Sequence, residues 1–191
     1  MASLPNPKTV TYEEWLRMSV TKDAIEEVVD GKISIMPLNK WDHTEIVDNL
    51  RDALVPQLER REFRVTTPDF GLILRKAPLT VRNPDLTVFR RSTIVVHDGY
   101  VHSAPLLVVE VMSRSNRAKE RMRLRQDYAS PGVPEYWEVW PENRSIEVLN
   151  PENGLYQTCA VLTQGTLKPR EFPHVQVDIS TIWPDRCFVA R

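Results

Sequence analysis

The sequence has 191 residues, and its 26 acidic and 25 basic side chains nearly cancel to a formal net charge of −1 at pH 7. This balance excludes a basic surface over the whole chain, so any affinity for nucleic acid has to come from a local patch. The two cysteines are too few for a disulfide framework or a cysteine-rich zinc site.

The length and hydropathy of the chain predict a soluble protein. A chain of this length usually folds as one domain, and we expect a loose tail over residues 1–10 and a single domain over residues 11–191. No apolar run reaches the roughly 18 residues that a membrane span needs. No basic and then apolar signal segment opens the chain. We therefore expect a cytoplasmic location and no membrane partner.

The first predicted elements are a short helix and a hairpin. Thr11 followed by Glu14 has the form of a capping box, which predicts that a helix begins there. The pair Asp30-Gly31 lies between alternating apolar residues, which is a strong signal for a β-hairpin. Glu26 and Glu27 lie on opposite faces of its first strand, so only one of them can point inward. The pattern alone favours two solvated edge residues.

An amphipathic helix is predicted next, over residues 43–59, because apolar side chains recur there at helical spacing. His43 lies in its first turn, where a histidine is more often a helix-end or surface residue than a ligand. Pro56 falls within the apolar stripe and is expected to kink or shorten the last turn. Two strand segments follow, over residues 64–67 and 71–76.

Two later runs of apolar and β-branched residues, 83–89 and 106–113, are typical of strands that are buried on both faces. Each run carries one carboxylate that does not fit such a strand, Asp85 in the first and Glu110 in the second. A buried ionised carboxylate is costly unless a charge or a hydrogen bond meets it. An antiparallel pairing of the runs would bring the two acids together, and a divalent cation such as Mg²⁺ would relieve their repulsion. The alternative is that one acid caps a turn and the other pairs with an arginine.

The helix predicted over residues 116–129 is the most basic element of the chain. Its basic side chains are Arg117, Lys119, Arg121, Arg123 and Arg125. A charge-rich helix is usually a solvated face, but this one follows the Glu110 strand directly, which makes phosphate contact an alternative. Strands are predicted over residues 135–139, 146–149 and 156–162, and an irregular C-terminal segment offers apolar side chains for packing.

Four short motifs occur in the chain in an order and spacing shared with a known family. They are Glu-Val-Val-Asp-Gly at 27–31, Pro-Asp at 84–85, Glu-Val-x-Ser at 110–113 and Gly-Val-Pro-Glu-Tyr-Trp at 132–137. On these motifs, residues 11–183 resemble the Uma-two family. The resemblance implies a restriction-endonuclease-like fold of the α/β (α+β) class, in which helices flank a mixed β-sheet and the N-terminal helix and hairpin form an extension.

The resemblance also implies a PD-(D/E)xK nuclease site, in which Mg²⁺ or Mn²⁺ supports hydrolysis of phosphodiester bonds in DNA. By position, Asp85, Glu110 and Glu27 match the catalytic and metal-binding acids, and the Val111 carbonyl matches a further metal ligand. The positions assigned to phosphate are Arg117 and Arg121, and the accessory positions are Glu120, Tyr128 and His43.

The chain departs from this nuclease pattern at its lysine. The pattern expects a lysine two residues after Glu110, where this chain has Met112. The family often places a lysine four residues before the tyrosine that matches Tyr128, and this chain has Leu124 there. The metal-binding half of the motif is therefore present and the lysine half is absent.

Three hypotheses follow from the sequence. The first is a Mg²⁺-dependent endonuclease that acts on DNA, with a homodimer as an open expectation. The second is a catalytically silent, nuclease-like module that binds nucleic acid or a protein partner. The third is that the acids form ordinary ion pairs with Arg82 or Arg90.

Overall fold

The structure, a computed structural model, describes residues 9–18, 25–36, 38–68, 70–113 and 118–184. Its helices and strands are numbered here in chain order. The helices are α1 (Tyr12–Leu16), α2 (Trp41–Leu54) and α3 (Ala118–Ala129), and short 3₁₀ turns cover Val55–Gln57, Arg91–Thr93 and Ile179–Thr181. The strands are β1 (Ile25–Val29), β2 (Lys32–Met36), β3 (Phe63–Thr66), β4 (Leu72–Lys76), β5 (Leu79–Arg82), β6 (Leu86–Arg90), β7 (Val96–His97), β8 (Tyr100–Val101), β9 (Leu107–Val111), β10 (Tyr136–Trp140), β11 (Ser145–Glu152), β12 (Leu155–Leu162), β13 (Thr166–Leu167) and β14 (Val177–Asp178).

The local signals at the N-terminal end form the predicted elements. The Thr11 hydroxyl accepts a hydrogen bond from the Glu14 N–H, and the Glu14 carboxylate accepts one from the Thr11 N–H at 2.9 Å, which confirms the capping box. The predicted tail over residues 1–10 lies mostly outside the described residues. Val10, at its end, donates a hydrogen bond to the Gly31 carbonyl at 2.8 Å. This bond joins the segment before α1 to the turn of the β1–β2 hairpin.

Helix α2 ends five residues before its predicted limit at Glu59. Pro56 has no N–H to continue the α-helical hydrogen bonds, and its ring disfavours a further α-helical turn. A 3₁₀ turn over Val55–Gln57 therefore replaces the last predicted turn. At its other end α2 begins at Trp41, so that His43 still lies in the first turn.

The first β-sheet has the strand order β2-β1-β5-β4-β8-β7. The sequence does not predict strand β5, because its four residues after a proline are too few to show the alternation of apolar and polar side chains that is typical of a strand. It pairs with two partners, since Val81 lies opposite Val28 of β1 and opposite Ile73 of β4. Through these pairings β5 places Arg82 beside Glu27 of β1.

The second sheet has the order β12-β11-β10-β9-β6-β3 and carries the two predicted acid-bearing segments at its centre. Strands β6 and β9 are antiparallel, as predicted, with Leu86 opposite Val109. Strand β10 is parallel to β9, with Glu138 opposite Glu110, so the sheet is mixed. Strand β6 begins after Asp85 and not before it, because Pro84 cannot donate a hydrogen bond to the ladder.

The two faces of the second sheet pack against different helices. Leu107, Val109 and Val111 of β9 belong to a hydrophobic cluster that also contains buried residues of α2. Val108 of β9 belongs to a second cluster with buried residues of α3. Apolar side chains of the C-terminal segment complete the first cluster, as predicted: Val175, Val177, Ile179 and Trp183. By this alternation Glu110 points to the α3 side of the sheet.

Candidate functional site

Asp85 directly precedes β6 and has two polar partners. Its Oδ2 atom accepts a hydrogen bond of 2.7 Å from the main-chain N–H of Val111 on β9. Its Oδ1 atom lies 2.8 Å from Nε2 of His43, in the first turn of α2. Asp85 is buried, with a relative exposure of 7%. The antiparallel β6–β9 pairing thus brings the two predicted acid segments into direct contact, and His43 points into the same site.

Glu110, on β9, is an acid with a strongly perturbed pKa. Burial raises the pKa of its carboxyl well above the ordinary value, and the negative charge of Asp85 raises it further. A hydrogen bond from the Tyr128 hydroxyl of α3 opposes this rise. Two neighbouring carboxyls, one of them strongly perturbed, are an arrangement that proteins retain mainly at functional sites.

Glu27 points inward from β1, so the expectation of two solvated edge residues is wrong for this strand. Its Oε2 atom accepts a hydrogen bond of 2.6 Å from Nη1 of Arg82, and its Oε1 atom accepts one of 3.2 Å from the Asn83 N–H. Glu26, on the opposite face, accepts a hydrogen bond of 2.9 Å from the indole of Trp15. Glu27 also adds to the negative field at Glu110, which places it within electrostatic reach of the site.

Asp127, on α3, is an acid of this cluster that sequence reasoning missed. Its Oδ2 atom accepts hydrogen bonds from Nε and Nη2 of Arg82 at 3.1 and 2.7 Å. The hypothesis of ion pairs with Arg82 therefore holds for Glu27, whereas Arg90 pairs with Glu62 at the surface. The sequence offered one indication of a role for Asp127, because it directly precedes Tyr128 in a helix that was already assigned to the site.

The two positions where a lysine was expected lie on the same side of the sheet as Tyr128. Met112 and Leu124 are buried and belong to one hydrophobic cluster with Tyr128. Met112 lies two residues beyond Glu110, and Leu124 lies one helical turn before Tyr128. The wall of the site beside Glu110 is therefore apolar at both positions.

Two arginines of α3, Arg121 and Arg125, are held by acids of the neighbouring strands. Arg121 donates to Glu138 on β10 at 2.7 Å and to Glu147 on β11 at 2.9 Å. Arg125 donates to the same two carboxylates at 2.6 and 2.9 Å. These contacts favour an ion-pair role for Arg121 over the predicted phosphate contact. Arg117, the other predicted phosphate contact, lies outside the described residues, and Glu120 is exposed on α3.

A third arginine of α3, Arg123, binds the hairpin turn. Its Nη1 atom lies 2.6 Å from Oδ2 of Asp30, and Nη2 of Arg75 lies 2.5 Å from Oδ1 of the same residue. The hydrogen bond from Arg123 holds the pKa of Asp30 below its ordinary value of 3.8. Asp30 has a φ of 50°, a left-handed conformation that asparagine also adopts readily.

Asp30→Asn is therefore expected to remove the charge interaction without straining the turn. We expect a loss of about 1 kcal/mol in the free energy of unfolding at pH 7, because the ion pairs are partly exposed. Folding lowers the pKa of Asp30, so its ion pairs contribute fully to the free energy of unfolding at a pH above the pKa of the unfolded chain. This contribution is lost as the pH falls through the pKa of the folded protein. Urea unfolding of both proteins between pH 7 and pH 3 should show the difference shrinking toward acid pH. A difference that is constant with pH would contradict this assignment.

The oxygen donors beside β9 fit a hard divalent cation. In the described ranges, no three His, Cys, Asp or Glu side chains converge as a complete metal cluster. Mg²⁺, however, is commonly held by one or two carboxylates together with water and substrate phosphates. Asp85 and Glu110 provide two carboxylates, and a bound cation would oppose both burial and the charge of Asp85, which together raise the pKa of Glu110. The donor chemistry thus suits Mg²⁺ or Mn²⁺ better than a thiophilic metal.

Comparison with known proteins agrees with this architecture. Among solved structures, the chain is similar to "a putative nuclease belonging to DUF820" from Anabaena variabilis ATCC 29413, with a TM-score of 0.73 and 19% identity over 91% of this chain and 97% of that chain. This likeness confirms the predicted fold of mixed sheets flanked by helices. No match was found among curated proteins.

Two further findings complete the comparison. None of the helices in the described part of the chain is long and apolar enough to cross a membrane. The family model Uma2, described as "Putative restriction endonuclease", matches residues 11–180, which confirms the resemblance seen in the motifs. The chain therefore belongs to the Uma2 family.

Proposed function

We propose that the protein is a nuclease of the cytoplasm that hydrolyses phosphodiester bonds of DNA with the help of Mg²⁺ or Mn²⁺. The observation that carries this proposal is the contact between two acid-bearing strands at the centre of the second sheet. There Asp85 and Glu110 lie close enough for the charge of one to raise the pKa of the other. The family and the fold support a nuclease, and the pair of acids supports the metal.

In this proposal, Asp85, Glu110 and the Val111 carbonyl hold the metal. A bound divalent cation would orient the attacking water and stabilise negative charge on the leaving oxygen. Two groups position Asp85: the Val111 N–H holds one of its oxygens and His43 lies against the other. Tyr128 positions Glu110 through its hydroxyl. Each proposed metal-binding carboxylate is therefore held by a group that carries no fixed charge.

The proposal for the substrate rests on family membership. Arg117, which follows the Glu110 segment, remains our proposed phosphate contact on the strength of the resemblance. Enzymes of this fold often act as dimers, in which two sites face the two strands of a duplex, and a homodimer is part of this proposal.

The missing lysine favours a second candidate function, a silent nuclease-like module that binds nucleic acid or a protein partner. Met112 and Leu124 give the site two apolar side chains where a lysine would position the attacking water. Introducing a lysine at position 124 therefore distinguishes the nuclease from the silent module.

Leu124→Lys is expected to raise the rate of metal-dependent cleavage by about 10-fold or more, because a positioned proton-transfer group typically contributes at least that much. Cleavage of supercoiled plasmid DNA in Mg²⁺, with a chelator as blank, measures the rate. Leu124→Met, which keeps the apolar volume, is the matched control and should leave the rate unchanged. If neither the wild type nor Leu124→Lys cleaves DNA in Mg²⁺ or Mn²⁺, the silent module is the better account.

A further inference from the structure

Arg82 is a buried cation at the centre of the acid cluster. Its relative exposure is 5%, and it joins two acids from different elements, Glu27 of β1 and Asp127 of α3. Burial alone would lower the pKa of Arg82, but the charges of Glu27 and the neighbouring groups outweigh this, and its pKa lies above the ordinary value. The guanidinium is therefore a permanent positive charge in this site.

The four acids of the cluster fall into two pairs with different partners. Glu27 and Asp127 share the guanidinium of Arg82 through bonds of 2.6 to 3.1 Å, and the Oδ1 atom of Asp127 also accepts a hydrogen bond of 2.9 Å from Nε of Arg123. Asp85 and Glu110 are held by a main-chain N–H, an imidazole and a phenol, none of which is a fixed positive charge. Among the residues that the structure describes, one pair of carboxylates is thus bonded to arginine side chains, and the other pair makes no such bond and can accept a cation.

The guanidinium of Arg82 has a geometry that suits a bridge between two carboxylates. A guanidinium is planar, presents five donors in a fixed fork and can bridge carboxylates that approach from two sides. A divalent ion at Glu27 would have to break the 2.6 Å hydrogen bond from Nη1 of Arg82 and place a second positive charge beside a buried guanidinium, which is unfavourable. The carboxylate of Glu27 is therefore committed to Arg82.

We propose that Arg82 is a built-in cation that takes the place of a second metal ion, so that each chain binds one divalent ion, at Asp85 and Glu110. Glu27 is then not a metal ligand, although its position in the family pattern implies one. Arg82 acts as a positioning residue, because it works through Glu27 and Asp127. This inference rests on the proposed function, since it assumes the metal site at Asp85 and Glu110.

Calorimetric titration of Mn²⁺ into the full-length protein tests the inference. The wild type should bind one ion per chain, and Arg82→Lys, which keeps the charge, should also bind one. Glu27→Gln should keep one site. Its affinity for Mn²⁺ should fall by less than about 10-fold, which is the smallest loss typical of a supporting residue of a metal site. Arg82→Met should release the Glu27 carboxylate and the Oδ2 atom of Asp127 and bind a second ion there, which the added substitution Glu27→Gln should remove.

Arg90→Met is the matched control, because Arg90 pairs with Glu62 at the surface and should leave the stoichiometry at one. Two ions per wild-type chain, or loss of binding in Glu27→Gln, would overturn the inference and leave the proposed function standing. No binding to the wild type would overturn the proposed function itself, and the inference with it. If Arg82→Met does not fold, the stoichiometry of the wild type and of Glu27→Gln still decides between these outcomes.

Discussion

Asp85→Asn is expected to lower the rate of metal-dependent DNA cleavage by at least about 100-fold, more than most supporting residues of a metal site contribute. The amide oxygen of asparagine can still accept the 2.7 Å hydrogen bond from the Val111 N–H, so the local geometry is kept. The substitution removes the Asp85 charge, which together with burial raises the pKa of Glu110, so we do not expect a loss of stability. Initial rates on plasmid DNA in Mg²⁺, together with thermal unfolding, measure both effects.

The matched control is Asp52→Asn on α2. The Asp52 side chain is 75% exposed and pairs with Arg51 at the surface, so the cleavage rate should not change. A rate for Asp85→Asn close to that of the wild type would show that the cleavage does not use this carboxylate. A loss of folding in Asp85→Asn would show instead that the acid is structural.

Glu138→Gln is expected to destabilise the protein by about 3 kcal/mol, at the lower end of what removing one partner of a buried ion pair costs. Glu138 is fully buried on β10 and accepts hydrogen bonds from both Arg121 and Arg125 of α3. A glutamine at this position would present an amide N–H to a guanidinium and remove the charge that both arginines share. In a protein of this size, the melting temperature should fall by about 6–12 °C.

Glu152→Gln is the control for this substitution, because Glu152 is exposed at the far end of β11 and should leave the melting temperature within about 1 °C of the wild type. Thermal unfolding followed by circular dichroism measures both variants. An unchanged melting temperature for Glu138→Gln would mean that the two arginines do not depend on this carboxylate.

The parts of the fold that the sequence predicts correctly have local causes. The capping box of α1 and the Asp30-Gly31 turn depend on residues within a few positions of one another. The β6–β9 pair was also predictable, because two apolar runs that each carry one acid are unusual and a polar turn region connects them. Strand β5 lacks such a signal, since its four residues are defined by their pairing with β1 and β4.

The partners of the charged residues could not be predicted, because they depend on contacts between distant parts of the chain. Glu27 and Arg82 are 55 positions apart, and Arg82 and Asp127 are 45 apart. The basic character of α3 is visible in the sequence, but whether its arginines face solvent, phosphate or acids depends on β10 and β11. The pairing of Arg121 with Glu138 and Glu147 is therefore visible only in the tertiary structure.

The most direct test of the metal site is calorimetric titration of Mn²⁺ into the wild type and Asp85→Asn. We predict measurable binding to the wild type and its loss in the variant, because two carboxylates on adjacent strands are needed to hold the ion. Equal binding to both proteins, or no binding to the wild type at millimolar Mn²⁺, would contradict a metal site at Asp85 and Glu110.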